Sequence, residues 1–300
     1  MRFPGGLSAF PITPADAAGR VDPAALRRLI ARLVLAGVDT IGLLGSTGVY
    51  MYLTRDQRRR ALETAVEEAS GRTPIVAGVG ALRTDEAVRL AEDAKAIGAV
   101  AGLLSAASYT PLTDDEVFAH FSTVAQDSGL PIVIYDNPGT THFRFTTELV
   151  SRLARVPGIV AIKNSGWNSA DAARHLAKQR AAVAPGFSIG CSADWTATET
   201  MIAGADTWYS VLGGLLPGAC VRIVEAVRRG DAEEARRLDA ALTPLWDLFR
   251  QHSSLRVVYA LAALLDICRV DPPRPILPLP APVRRQVAEV LARLPSDTVK

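Results

Sequence analysis

The stretch PIVIYDNPGTTHFRFTTELVSRLARVPGIVAIKNS, residues 131–165, contains one complete strand–helix–strand unit. PIVIY (131–135) and GIVAIK (158–163) are apolar at every position before the last, not at every second one, which is the pattern of a strand covered on both faces. The segment between them, near 146–155, spaces its apolar residues as a helix does. A crossover helix between two such strands makes them parallel.

The same unit recurs on both sides. LSAFPI (7–12), VDTIGLLG (38–45), PIVAGV (74–79) and AVAGLL (99–104) precede it, and FSIG (187–190) and TWYSV (207–211) follow. Helix-compatible segments come after each, near 23–36, 54–70, 84–97, 113–128, 168–179, 195–203 and 217–229. Asp22-Pro23, Thr54-x-x-Gln57, Thr113-x-x-Glu116 and Pro217 supply start signals. Eight βα units predict a (β/α)8 TIM barrel; a doubly wound open sheet usually has fewer strands, and its phosphate loop is missing here. Beyond residue 230 the strands stop. Helices are predicted at 231–250, 254–268 and 283–294 around the proline-rich DPPRPILPLPAP (271–282), so the domain reading is a barrel over 1–230 and a C-terminal helical appendage over 231–300.

Composition narrows the function classes. Of the 300 residues, 49% are hydrophobic and 21% charged, with a net charge of +2 spread along the chain, which gives no reason to expect a nucleic-acid or membrane partner. Three well-separated cysteines, Cys191, Cys220 and Cys268, argue against a disulfide framework, and the N-terminus lacks the apolar core of a signal peptide, so a cytoplasmic location is expected. The four histidines show no ligand spacing, so no metal is expected. Gly78-x-Gly80 and Gly213-Gly214 do not complete a dinucleotide fingerprint, and no cofactor is expected.

In such a barrel the site lies where the strands end. Lys163 closes an apolar strand, where desolvation would favour a neutral, nucleophilic amine; a structural lysine paired with an acid at the barrel rim is the other reading. Tyr135 and Tyr109, one and two strands earlier, could move protons or simply pack. Ser46, Thr47 and Gly48 form a small-residue turn after strand 2 that could receive a carboxylate, or be an ordinary βα turn. Gly190 after strand 7 and Tyr209 in strand 8 complete the strand-end set of candidate substrate contacts.

Taken together, Gly45-Ser46-Thr47-Gly48, the tyrosine after strand 4, Tyr135-x-x-Pro138 and Ile162-Lys163-x-Ser165 resemble the dihydrodipicolinate synthase / N-acetylneuraminate lyase family over nearly the whole chain. The resemblance implies a homotetrameric (dimer of dimers) class I aldolase-type lyase acting on pyruvate or another 2-keto acid. It makes Lys163 the Schiff-base lysine, Tyr135 the proton-relaying phenol, Ser46 the hydroxyl linking two tyrosines, Thr47 a carboxylate ligand, and Tyr109 a tyrosine that reaches into a neighbouring subunit's site. Three departures stand out. Thr140 replaces an arginine that grips the aldehyde's carboxylate in dihydrodipicolinate synthases. Val49 replaces the glutamate that usually ends the strand-2 turn. Tyr50, Met51, Arg55, Arg58, Leu82 and Ser108 occupy positions that bind feedback lysine in regulated members, where only Glu86 agrees. The expectation is therefore a Schiff-base lyase, aldolase or dehydratase, on a 2-keto acid or 2-keto-3-deoxy sugar acid. The alternatives are an authentic 4-hydroxy-tetrahydrodipicolinate synthase, with Arg144 as a repositioned cation, and a non-catalytic homologue that only binds 2-keto acids.

Overall fold

The computed structural model describes residues 3–299. Eight strands, β1 (Gly6–Ala9), β2 (Thr40–Leu43), β3 (Ile75–Gly78), β4 (Ala101–Ser105), β5 (Ile132–Tyr135), β6 (Ile159–Asn164), β7 (Ser188–Cys191) and β8 (Thr207–Ser210), pair in parallel and in sequence order, and β8 closes on β1. The helices between them are α1 (Pro23–Leu35), α2 (Arg55–Ala69), α3 (Thr84–Ile97), α4 (Asp114–Ser128), the one-turn α5 (Pro138–Thr141), α6 (Thr147–Leu153), α7 (Ser169–Ala182) and α8 (Asp194–Ile202), with α9 (Pro217–Arg228) after β8. This is the (β/α)8 TIM barrel expected from the sequence. No helix among the described residues is long and apolar enough to cross a membrane.

The expected start signals act as caps. The Asp22 carboxylate accepts from the backbone of Ala24 and Ala25, and Thr113 forms a reciprocal capping box with Glu116. Alternation along each strand then sorts its side chains between two apolar layers. Val133 and Tyr135 of β5 face the barrel interior with Phe10, Val76, Ala101, Leu103, Ala161 and Tyr209, while Ile132 and Ile134 face the helices. Both layers are buried, which is why the strands carry unbroken apolar runs.

The C-terminal segment departs from the expected helices. The single helix read over 231–250 is two, α10 (Ala232–Ala240) and α11 (Thr243–His252), because Pro244 has no amide hydrogen to donate back to Ala240. The next, α12, covers Ser254–Leu264 and stops short of 268, with Asp266 in the left-handed region, and α13 covers Ala281–Arg293 before the short α14 (Ser296–Val299). Of these, α10 and α14 pack on α9, α10 and α11 on α8, and α12 and α13 on α11 and on each other.

The interior is shaped by Phe10, which follows β1 and fills the space beside β2. Gly42 and Gly45 make room for its ring, and a Cβ at Gly214 would strike its backbone carbonyl. Gly42→Ala is therefore expected to destabilise the barrel by about 1–3 kcal/mol through overpacking, and pairing it with Phe10→Leu should recover part of that loss. Denaturant unfolding of the single and double variants checks this.

Candidate active site

Register across four strands assembles the centre of the site. Ser105 of β4 pairs with Tyr135 of β5, Tyr135 with Lys163 of β6, and Lys163 with Gly190 of β7. All four lie near the C-terminal ends of their strands, where a TIM barrel places its chemistry.

Lys163 is 3% exposed, and its Nζ lies over three aromatic rings, 3.9 Å from the centroid of Phe10, 4.3 Å from Tyr135 and 5.7 Å from Tyr209. No carboxylate among the described residues forms an ion pair with it. Burial pushes its pKa down to about 7, against a smaller opposing pull from the buried Asp194. The amine is thus close to half neutral at physiological pH, which removes the reading of a rim lysine held by an acid.

Tyr135 is buried beside it. Its Oη lies 3.3 Å from Ser46 Oγ and accepts from Asn137 Nδ2 at 2.8 Å, and desolvation pushes the phenol up to about 12, so it stays protonated. This gives a nucleophile that can be neutral and a phenol that can donate, on adjacent strands.

The remaining candidates fall in different places. Thr47 is buried in the strand-2 turn, and Gly48 is closely approached: a Cβ there would sit 3.0 Å from Thr13 Oγ1 and 3.1 Å from the Leu44 backbone. Gly190 has no room for a side chain because of the Tyr209 ring, so Tyr209 is a wall of the amine's chamber and is closed to solvent. Thr140 is exposed on α5, and its hydroxyl turns back to the Asn137 carbonyl at 3.2 Å. Tyr109 is 97% exposed and takes no part in its own protomer's site.

The positions matched to feedback lysine are occupied by the chain itself. The Arg58 guanidinium lies 5.1 Å from the centroid of the Tyr50 ring and donates to the Gly80 carbonyl at 2.9 Å, while Arg55 grips Asp93 at 2.6 and 2.9 Å. Val49, Tyr50 and Leu53 are buried; only Met51 and Tyr52 of that run reach solvent. The glycine pairs weighed as nucleotide-binding fragments are packing notches: a Cβ on Gly78 would strike the Leu44 carbonyl, and one on Gly213 would sit 3.1 Å from Ser210 Cβ.

Sequence reasoning missed Phe10 and Asp194. Asp194 is 3% exposed and accepts from Trp208 Nε1 at 2.9 Å and from the backbone of Leu212 at 2.8 Å, which pins the loop after β8 to the start of α8. An aspartate in the first turn of a helix was the available signal. For Phe10 there was none, since an apolar residue after an apolar strand is unremarkable. No group of three or more potential metal ligands occurs among the described residues.

Similarity to known proteins points the same way. The model of the dihydrodipicolinate synthetase family matches residues 3–294. A 4-hydroxy-tetrahydrodipicolinate synthase of Methylibium petroleiphilum is 35% identical over 282 residues, covering 93% of this chain and 94% of that protein. The crystal structure of a dihydrodipicolinate synthase from Agrobacterium tumefaciens superposes with a TM-score of 0.95 at 54% identity, covering 97% of this chain and 98% of that one. One from Aquifex aeolicus gives 0.90 at 30% identity, covering 98% and 99%.

The buried amine has a stability consequence whose sign is fixed. With a folded pKa near 7 and an ordinary value of 10.5, the unfolded chain holds more protons than the folded one between those limits, so this group's destabilisation is full below about pH 7 and fades as pH rises toward 10.5. Lys163→Met should therefore raise the melting temperature at pH 7, with the advantage shrinking toward pH 10.5. Calorimetry across that range tests it; a constant difference would contradict the burial argument.

Proposed function

The chain belongs to the dihydrodipicolinate synthetase family and is a Schiff-base lyase; from that premise we propose that Lys163 forms its imine with pyruvate or a 2-keto-3-deoxy sugar acid. The observation that carries this is the placement of the Lys163 amine, walled by Phe10, Tyr135 and Tyr209 and next to a phenol held by Ser46.

Chemistry follows from the two protonation states. The neutral amine adds its electron pair to the C2 carbonyl, Tyr135 gives a proton to the resulting oxygen, and loss of water leaves the protonated imine. That cation withdraws electrons, so the bond from C3 to a proton, or to a carbon bearing a hydroxyl, can break to give an enamine. The Tyr135 phenolate left by the first transfer takes the proton, from C3 or from the hydroxyl, and in the second case an aldehyde leaves. Tyr135 then returns that proton to C3 of the enamine, and water adds to C2 and releases the keto acid from Lys163, its proton restoring the phenol. Thr47 and the turn through Gly48 are assigned to the substrate carboxylate, with Gly190 admitting the Tyr209 ring that walls the amine.

Tyr109 suits a role in trans. It is exposed together with Met51, Tyr52 and Leu82 on the loops after β2, β3 and β4, a surface suited to a second copy of the chain. The assembly proposed is a homotetramer, a dimer of dimers, in the cytoplasm.

A second reading, the authentic synthase, is favoured by the names of the relatives. It needs a cation for the carboxylate of aspartate semialdehyde. Thr140 offers none, and Arg144 is the basic residue of the same loop.

Borohydride reduction in the presence of pyruvate should add one pyruvyl group to the peptide carrying Lys163, and Lys163→Ala should abolish it; labelling of Lys95 or Lys178 instead would overturn the mechanism. Tyr135→Phe should lower turnover roughly 10²–10³-fold with the fold intact. A carboxylated aldehyde lacks a charge-assisted hydrogen bond worth about 1.5–3 kcal/mol, so kcat/KM with aspartate semialdehyde should lie roughly 10- to 150-fold below that with uncharged aldehydes. Thr140→Arg should narrow that gap. A wild type that already prefers aspartate semialdehyde is the synthase.

A further inference from the structure

Two buried hydroxyls beside the site do not balance. Tyr50, on the 3-10 turn Tyr50–Tyr52, reaches across β3 so that its Oη lies 2.8 Å from Ser105 Oγ. The approach is built: a Cβ on Gly80 would lie 2.9 Å from Ser105 Oγ and 3.2 Å from Tyr50 Oη, and Arg58 covers the ring. Each hydroxyl carries one proton, and the two share one hydrogen bond, the only one either side chain makes among the described residues. One donor is therefore left over, at residues 7% and 1% exposed, where an unpaired polar hydrogen is costly.

Either hydroxyl can be the donor of that bond, and the arrangement in which Tyr50 donates leaves the Ser105 proton free. The Tyr50 ring is held in place by Arg58. Ser105 continues the inward parity of Ala101 and Leu103 and sits in register with Tyr135, which is in register with Lys163. Strand to strand, Ser105 and Lys163 are about 10 Å apart. The lysine side chain and the first carbons of an imine-bound keto acid cross that distance together.

We propose that Ser105, oriented by Tyr50, recognises an oxygen on C4 of the bound 2-keto acid, so that the site selects a keto acid hydroxylated there. This rests on the Lys163 imine proposed above. Ser105 touches the substrate, and Tyr50 is a positioning residue that acts through it.

The test compares 4-hydroxy-2-ketobutyrate with 2-ketobutyrate, reading half-saturation of the borohydride adduct on Lys163 by mass and counting intact and cleaved chains together. One hydrogen bond corresponds to a preference of roughly 2- to 12-fold for the hydroxylated acid in the wild type. Ser105→Ala should erase that preference, and Tyr50→Phe should reduce it, although the variant keeps the ring in place. If Ser105→Ala does not fold, Tyr50→Phe alone decides. Trapping with no preference in the wild type, or a preference unchanged in these variants, overturns this inference and leaves the imine standing. Trapping of neither acid by the wild type overturns both.

Discussion

A lysine held among aromatic rings inside a closed barrel is the constraint from which the rest of this structure follows. An ammonium in water is strongly hydrated, and the Lys163 amine gives up that hydration for the faces of Phe10, Tyr135 and Tyr209. Cation–π attraction returns part of the loss, but burial prevails, and the pKa falls to about 7. Several small residues serve this arrangement. Gly42 and Gly45 make room for Phe10, and Gly190 for Tyr209. A glycine in a strand weakens it, and here the cost is offset by the walls that the absent side chains admit.

The polar groups around the chamber obey the opposite rule. Tyr135, Tyr50 and Asn164 are anchored by partners that set their directions before any substrate arrives. Tyr135 is held from Ser46 after β2 and from Asn137 after β5, and Tyr50 from Ser105 of β4. Asn164, next to the lysine, exchanges two amide hydrogen bonds with Gln179 at 2.9 and 3.0 Å and also donates to the Gly190 carbonyl. Fixed donors in a dry site cost no reorganisation when charge moves, which is the physical advantage of spending buried hydrogen bonds on them.

The loop after β5, where Thr140 departs from the resemblance read in the sequence, is held by its own contacts. Thr140 bonds its own helical turn, while Asp136, pushed up to about 6 by burial, accepts from the Phe145 backbone at 3.4 Å and ties the loop to the end of β5. The loop is organised by internal contacts, and a position that holds an arginine in dihydrodipicolinate synthases is here neutral.

The sequence alone determined the barrel, since unbroken apolar strands alternating with capped helices have one economical closure, and it determined the lysine, because a single charge ending an apolar strand has few places to point. It also singled out Tyr135, Ser46 and the strand-2 turn, which lie at strand ends by the same periodicity. Tertiary structure alone decided which groups meet. Phe10 and Tyr209 became walls of the amine because barrel closure turns the inward faces of β1 and β8 toward that of β6 across the interior, residues about 150 and 45 positions apart in a chain whose local pattern carries no record of that contact. Tyr50 became a buried partner of Ser105 because Gly80, just after β3, leaves a notch, and no spacing rule links those three positions. Periodicity fixes which face a side chain occupies, whereas contacts between distant strands depend on the closed sheet's register and on the volume each neighbour leaves.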